Sequence, residues 1–373
     1  MKVTILGAGV IGITTAYMLS KKGYDVCLID RNSEPGRECS FSNGSQLSYC
    51  HAEPWASRSS LLNAVKWMGK KDAPLLFRPL PSLHMWGWIF RFLANCRASK
   101  ESENTKKILK LGLLSRKVLH EIEDDFDFDF SYSKGGKLFI FRDEKSLNKY
   151  LKQARLQETL GSRYEVMSAK EAIEIEPALT DIIENIYACV RDPLDESADA
   201  FRFCTGINEK LKQMDNVELN YETEIKEIIK KDNKIHSVLT DKGEFNSDIF
   251  VMALGPHSPI MSKFLGVKIP IYPIKGYSIT VDIKNDKKTP INSITDYHEK
   301  IVYSRIGDRL RVAGTAEFAG YDDSITDKRI DMLKRSTENN FPYCGDVKKA
   351  ESWACLRPST PDSVPILGKS NKY

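Results

Sequence analysis

The stretch Val3–Arg31, VTILGAGVIGITTAYMLSKKGYDVCLIDR, restricts the fold of this chain more than any other. Val3–Leu6 is a short apolar run that stops at glycine, the pattern of a buried parallel strand. Gly7, Gly9 and Gly12 follow as G-x-G-x-x-G, then a helical stretch, a break at Gly23 and a second strand from Asp25 to Ile29. Gly7 permits a tight turn, Gly9 lets a pyrophosphate approach the backbone, and Gly12 lets the helix pack closely on the strand. Ala16 keeps the same helix face small. The start of the helix aims N–H groups and a positive dipole end at phosphates. Asp30 ends the second strand, where an acid accepts hydrogen bonds from an unphosphorylated ribose. A glycine triplet alone also occurs in ordinary α/β turns. Strand, triplet, helix, strand and terminal acid in this order predict a dinucleotide fold, and nicotinamide and flavin dinucleotides both fit it.

With 373 residues the chain can bury a large core and hold two domains. A hydrophobic content of 41% against 28% charged residues is that of a globular protein, not a disordered one. The net charge of +4 is small for this length and argues neither for nor against an acidic partner. No basic stripe with interleaved aromatics appears, so no nucleic-acid partner is expected. The first strand begins at residue 3, which leaves no room for a cleavable signal peptide ahead of it. Cysteines 27, 39, 50, 96, 189, 204, 344 and 355 show neither C-x-x-C nor zinc spacing, and reduced thiols in a cytosolic compartment are expected. The six histidines are too dispersed for a metal cluster, so no metal is expected.

After Asp30 a polar segment carries a Pro35-Gly36 turn signal and the side chains Ser40, Ser42, Asn43, Ser45 and Gln46. It is placed to run along a cofactor and reads equally as a solvated loop. Residues 54–97 hold four of the five tryptophans, and 85–96 (MWGWIFRFLANC) are too short for a membrane span. Core burial is the expectation for that run. An amphipathic helix at a lipid surface, with Lys66, Lys70, Lys71 and Arg91 nearby, is the alternative. Helices are predicted over 104–124, 144–160 and 325–340. The run EDDFDFDF predicts a solvated strand edge or turn, and Gly135-Gly136 a hairpin turn before the strand KLFIFR. Residues 188–212 read as strand, loop and helix, with capping residues among Asp195–Asp199. Strands follow at 217–221 and from Ile225, then a turn at Asp232-Asn233, a strand over Ser237–Thr240, and Asp248–Leu254. That last run, ending on Gly255, has the pattern of a returning central strand of the nucleotide domain. Residues 267–318 are β-rich, with a turn at Gly307-Asp308.

The opening stretch together with SNGSQLS, EPWA, LLNAVKWM, DAPL, YPIKGYSIT, RVAGTAEFAG and LRPSTPDSVPILG resembles the D-amino-acid oxidase superfamily of FAD-dependent oxidoreductases over essentially the whole chain. Its bacterial D-amino-acid dehydrogenase branch is the most similar. The resemblance implies an α/β fold: a discontinuous FAD-binding Rossmann-like domain (1–60, 180–265 and 346–373) with an inserted, mostly β substrate domain (61–179 and 266–345). It implies that Gly7, Gly9 and Gly12 face the FAD pyrophosphate, with Asp30 and Arg31 on the adenosine ribose. Ser40, Asn43 and Gln46 would line the flavin side, Ile225 would meet the adenine through its backbone, and Gly255 would lie near the cofactor. Arg357 would bind the substrate carboxylate, as a guanidinium fork suits, and Tyr277 is a weaker substrate-pocket candidate. The implied chemistry is oxidative deamination of a D-amino acid, a hydride passing from Cα to flavin N5, with no acid/base residue required. Electrons would pass to a respiratory quinone, placing a cytoplasmic protein peripherally at the inner face of the bacterial inner membrane. An oxygen-using oxidase of glycine, sarcosine or D-amino acids is the alternative.

Three positions depart from the family pattern. Ser45 stands where glycine is common, Cys355 replaces a glycine two residues before Arg357, and the chain stops at Tyr373 without the family's closing strand and G-H-x-x-x-G segment. That helix N-terminus would face the flavin pyrimidine. An inactive, truncated remnant is therefore a third reading of the sequence.

Overall fold

The computed structural model describes residues 1–67, 73–232 and 234–370. The opening stretch forms the predicted unit: strand Lys2–Leu6, helix Val10–Ser20 and strand Asp25–Ile29. These strands belong to a parallel four-stranded sheet in the order Ile249–Met252, Lys2–Leu6, Asp25–Ile29, Val217–Asn220. Strand alternation divides their side chains between two faces. Val3, Ile5, Val26 and Leu28 pack on Ile13, Ala16 and Tyr17 of the first helix and on Phe203, Ile207 and Leu211 of helix Ala200–Lys212. Leu6, Cys27 and Ile29 pack on Ile228 and Val238 of a small antiparallel sheet. Its strands are Ile225–Lys231, Lys234–Thr240 and Gly243–Asn246. Helices on one face and a small sheet on the other explain why these central strands are apolar at most positions.

Ile249–Met252 corrects an expectation. Predicted as a central strand, it pairs with Lys2–Leu6 alone among the described residues and stands at the sheet edge. Its residues are half-buried or exposed, as an edge allows.

The second sheet has nine strands. Glu351–Ser359, Tyr272–Asp282, Arg309–Phe318 and Ile301–Ile306 form an antiparallel run, continued by Ser293–Asp296, Lys137–Phe141, Ala188–Asp192 and Glu165–Met167. Leu75–Phe77 joins beside Arg309–Phe318. Strand Tyr272–Asp282 is buried along all but its last residue. Helix Asp327–Asn340 covers one side of it through Ile330 and Leu333, and helix Leu83–Asn95 covers the other through Met85 and Trp88. Ala188–Asp192 and Glu351–Ser359 are thus hydrogen-bonded into the large sheet, although division by sequence puts both with the nucleotide domain.

Several local expectations change. Gly135-Gly136 precedes a strand but makes no hairpin, because Lys137–Phe141 pairs with Ser293–Asp296 and Ala188–Asp192. Of the two readings of EDDFDFDF the turn holds, as a 3-10 turn over Glu123–Asp125 followed by a loop, and the strand edge does not. Its Phe126 and Phe130 pack on Phe203, and a Cβ on Gly206 would come within 2.1 Å of the Phe128 ring. Helix Leu83–Asn95 has one buried apolar side and one exposed, with Leu83 94% and Phe90 68% accessible beside Trp86 and Leu93. The lysine side chains at 66, 70 and 71, like Asn233 of the predicted turn, lie outside the described residues.

Candidate active site

The glycine turn is built as its spacing predicts. Gly7 has φ +101, and an added Cβ there would lie 2.7 Å from the Ala253 carbonyl oxygen. A Cβ on Gly12 would lie 1.8 Å from the Gly7 oxygen. Both glycines are therefore required by the protein's own packing. Gly9 differs: the closest atom to an added Cβ is Ser40 Oγ at 3.7 Å, an ordinary contact, so nothing in the chain itself demands glycine there. Gly9 is the N-cap of the first helix and offers no side chain to its open end. Val10 N–H donates to Ser40 Oγ at 3.1 Å, and intrahelical bonding begins with Ile13 N–H to the Gly9 carbonyl at 3.0 Å. The N–H groups of Ile11 and Gly12 lie in this first turn, where a helix leaves donors directed outward.

Asp30 closes the loop from below. Its carboxylate accepts from Ala8 N–H at 2.6 Å and from the Asn32 backbone and side chain at 2.8 and 3.0 Å. The remaining lone pairs are what a ribose hydroxyl could use. Arg31 pairs with Glu38 and lies 3.3 Å from His257 Nε2, just past Gly255. Ile225 is carried to this end because Thr223 N–H donates to the Asp30 carbonyl at 2.9 Å. Sequence candidates for the adenosine side are thus gathered at the carboxyl ends of two neighbouring parallel strands, where open α/β sheets bind ligands.

Asn43, Gln46, Tyr277 and Arg357 surround a cavity of about 420 Å³ whose walls also include Trp55, Lys300 and Cys355, whereas Ser40 is not among its walls and has its Oγ at the start of the first helix. Gln46 donates to Ser293 Oγ at 2.7 Å, and Asn43 Oδ1 accepts from Ser45 N–H at 2.9 Å, so both are held by the large sheet or their own turn. Ser45 has φ +55, is buried, and its Oγ has no hydrogen-bond partner. A left-handed backbone is the physical reason a glycine is common there. Tyr277 lines the cavity, but its hydroxyl donates to Glu317 Oε2 at 2.7 Å, and burial raises its pKa. Glu317 is itself buried and paired with Arg78 at 2.7 Å. The phenol thus braces the wall from behind.

Arg357 is the cation that meets this cavity from the sheet. One Nη donates to the Thr315 carbonyl, and the guanidinium carbon lies 5.6 Å from the Trp55 ring centre. Its Nε is buried with no hydrogen-bond partner. A buried charged donor without an acceptor is costly. Space for the guanidinium comes from Gly276 on the neighbouring strand, where a Cβ would lie 2.5 Å from an Arg357 Nη. Gly276 escapes sequence reasoning as a site residue, although the segment YPIKGYSIT contains it. Lys300 is also missed. It lines this cavity and an adjoining one of about 550 Å³, its ammonium 3.3 Å from the Tyr297 ring centre, and no sequence signal marks it. No group of acids, cysteines and histidines suited to a metal ion occurs among the described residues.

The family profile "FAD dependent oxidoreductase" matches residues 2–373. The chain belongs to that family. It is 40% identical over 371 residues to the D-amino acid dehydrogenase of Paramagnetospirillum magneticum, covering 99% of this chain and 87% of that protein. The Vibrio vulnificus protein of the same name is 36% identical over 370 residues, covering 99% and 88%. Among solved structures, an L-proline dehydrogenase from P. horikoshii aligns with a TM-score of 0.74 at 18% identity, over all of this chain and 85% of that one. A glycine oxidase from Geobacillus kaustophilus gives 0.74 at 18%, over 99% and 86%. These structures share the fold. The open Gly9 turn, the helix start and the acid at Asp30 fit the family's FAD.

Proposed function

We propose that this chain oxidises a D-amino acid to its 2-oxo acid and ammonia with FAD. The pyrophosphate would lie over Gly9, the ribose at Asp30, and the flavin towards the cavity that Arg357 enters. The single observation that carries the reading is the buried, unpartnered Nε of Arg357 beside a cavity of about 420 Å³. The D-configuration rests on the relatives' names. When bound, the flavin supplies two-electron oxidation by accepting a hydride. The protein's part is positioning. Arg357 holds the carboxylate by two parallel hydrogen bonds. Trp55 and the Gly276 backbone confine the guanidinium, so the fork does not have to be ordered when substrate arrives. The amine must be neutral for its lone pair to assist loss of the Cα hydride, and a site bearing Arg357 and Lys300 disfavours the ammonium form.

The test compares D- with L-amino acids in dye reduction by the purified chain with added FAD. Reduction with D-isomers only is expected. L-specific reduction, or none by a chain that has bound FAD, would overturn the proposal. Peroxide release in place of dye or quinone reduction would assign the oxidase reading.

The electron acceptor in this proposal is a quinone reached at a membrane surface. Exposed Leu83, Trp86, Phe90 and Leu93 on helix Leu83–Asn95 support peripheral contact at the inner face of a cytoplasmic membrane. Among the described residues no helix is long and apolar enough to cross a membrane.

A further inference from the structure

Cys355 and Cys39 are among the lining residues of the Arg357 cavity, and their sulfur atoms are 3.4 Å apart. They come from distant parts of the chain: Cys39 from the loop after Asp30, Cys355 from strand Glu351–Ser359. The other six cysteines are buried, whereas these two are partly accessible. Cys39 is further oriented by its contact with the Leu356 carbonyl at 3.3 Å. Cys355 and Arg357 sit two residues apart on one strand and therefore share a face.

We infer that Cys39 and Cys355 are a redox-active dithiol built into the wall of the substrate cavity, oxidised by low-molecular-weight disulfides to an intramolecular disulfide. The shared thiol hydrogen bond lowers the Cys355 pKa, with the Arg357 guanidinium acting in the same direction, while Cys39 keeps its proton. Cys355 thiolate therefore attacks one sulfur of the small disulfide and expels a thiolate, leaving a mixed disulfide at residue 355. Cys39 then loses its proton to solvent and attacks Cys355 Sγ, expelling the second small thiolate. Two electrons pass from the cysteine pair to the small disulfide, whose two halves leave as thiols once protonated. Closing from 3.4 Å to a bond of about 2.05 Å brings the two sulfur atoms about 1.4 Å closer, a shift that the side chains, the strand and the loop accommodate together. On the proposed function, that shift moves the strand that carries Arg357 and raises KM for the carboxylate substrate several-fold more than it lowers kcat.

The full chain, with and without FAD, is incubated with glutathione disulfide, alkylated and analysed by peptide mass mapping. The expected product has lost about 2 Da and joins the peptides containing Cys39 and Cys355, and dithiothreitol restores both thiols. Cys39→Ser should stop at a mixed disulfide on Cys355, and Cys355→Ser should give no adduct at either position. Cys39 and Cys355 remaining as inert as Cys27 and Cys189 in both preparations would overturn the inference, as would a glutathione adduct on Cys355 that never resolves. The mass readout needs no substrate, so a cross-link in a chain inactive towards D-amino acids would count against the proposed function alone.

Discussion

Arg357 and Gly276 act as one unit, since the guanidinium occupies the space that a side chain at 276 would fill. Arg357→Ala should raise KM for a carboxylate substrate by roughly 30- to 150-fold, the scale of about 2–3 kcal/mol for a charge-assisted bidentate contact. Steady-state kinetics with D-alanine check this, and an unchanged KM would remove Arg357 from carboxylate binding. Gly276→Ala keeps the arginine but displaces it, because the added methyl meets three of its terminal atoms within 2.8 Å. Its expected effect is a KM increase of about tenfold, with thermal stability lowered by no more than about 1–3 kcal/mol. Arg357 as a candidate was legible from the motif that contains it. The role of Gly276 was not, because a glycine in a strand pattern does not say which neighbour needs its space.

The first helix and its turn separate two kinds of glycine. Gly12→Ala should prevent or severely damage folding, since its methyl would lie 1.8 Å from the Gly7 oxygen. Gly9→Ala should fold, because φ −66 suits any residue and the nearest atom is 3.7 Å away. It should lose FAD affinity tenfold or more, measured by quenching of flavin fluorescence. Equal FAD affinity in Gly9→Ala and the parent would place the pyrophosphate elsewhere. Helix Leu83–Asn95 carries its prediction on its outer side. Replacing exposed Trp86 and Phe90 with serine should abolish flotation with anionic liposomes and leave dye reduction within about twofold. Flotation that is absent from the parent chain would remove the membrane reading. The sequence showed this helix to be apolar, but the choice of buried side followed from packing of Met85 and Trp88 on Tyr272, Ile274 and Phe318.

At the scale of the whole molecule, stability should depend on pH through the buried acids of the large sheet. Lys137 pairs with Asp195 at 2.7 Å, and Asp192 lies beside them with Tyr150 donating to it at 3.2 Å. Burial, with Asp195 adding repulsion against the pull of Lys137, pushes the Asp192 pKa up to about 7. A raised folded-state pKa means that its contribution is fully present below the ordinary carboxylate range and is lost as pH rises towards 7. Asp192→Asn should therefore gain about 3 kcal/mol relative to the parent between pH 4.5 and 8, in denaturant titrations at both values. A stability difference that does not change with pH would show that Asp192 titrates normally.

The sequence alone determined the nucleotide-binding unit, because strand, turn and helix there follow from contacts within about thirty residues and from glycines that allow only one local geometry. Family motifs also located Arg357 and the departures at Ser45 and Cys355. Tertiary structure decided the rest. It set Ile249–Met252 at an edge, turned the Tyr277 hydroxyl to Glu317, gave Arg357 its space at Gly276, and brought Cys39 within 3.4 Å of Cys355. Each depends on strand pairing between segments far apart in the chain, and local propensity and periodicity carry no record of which strands will be neighbours.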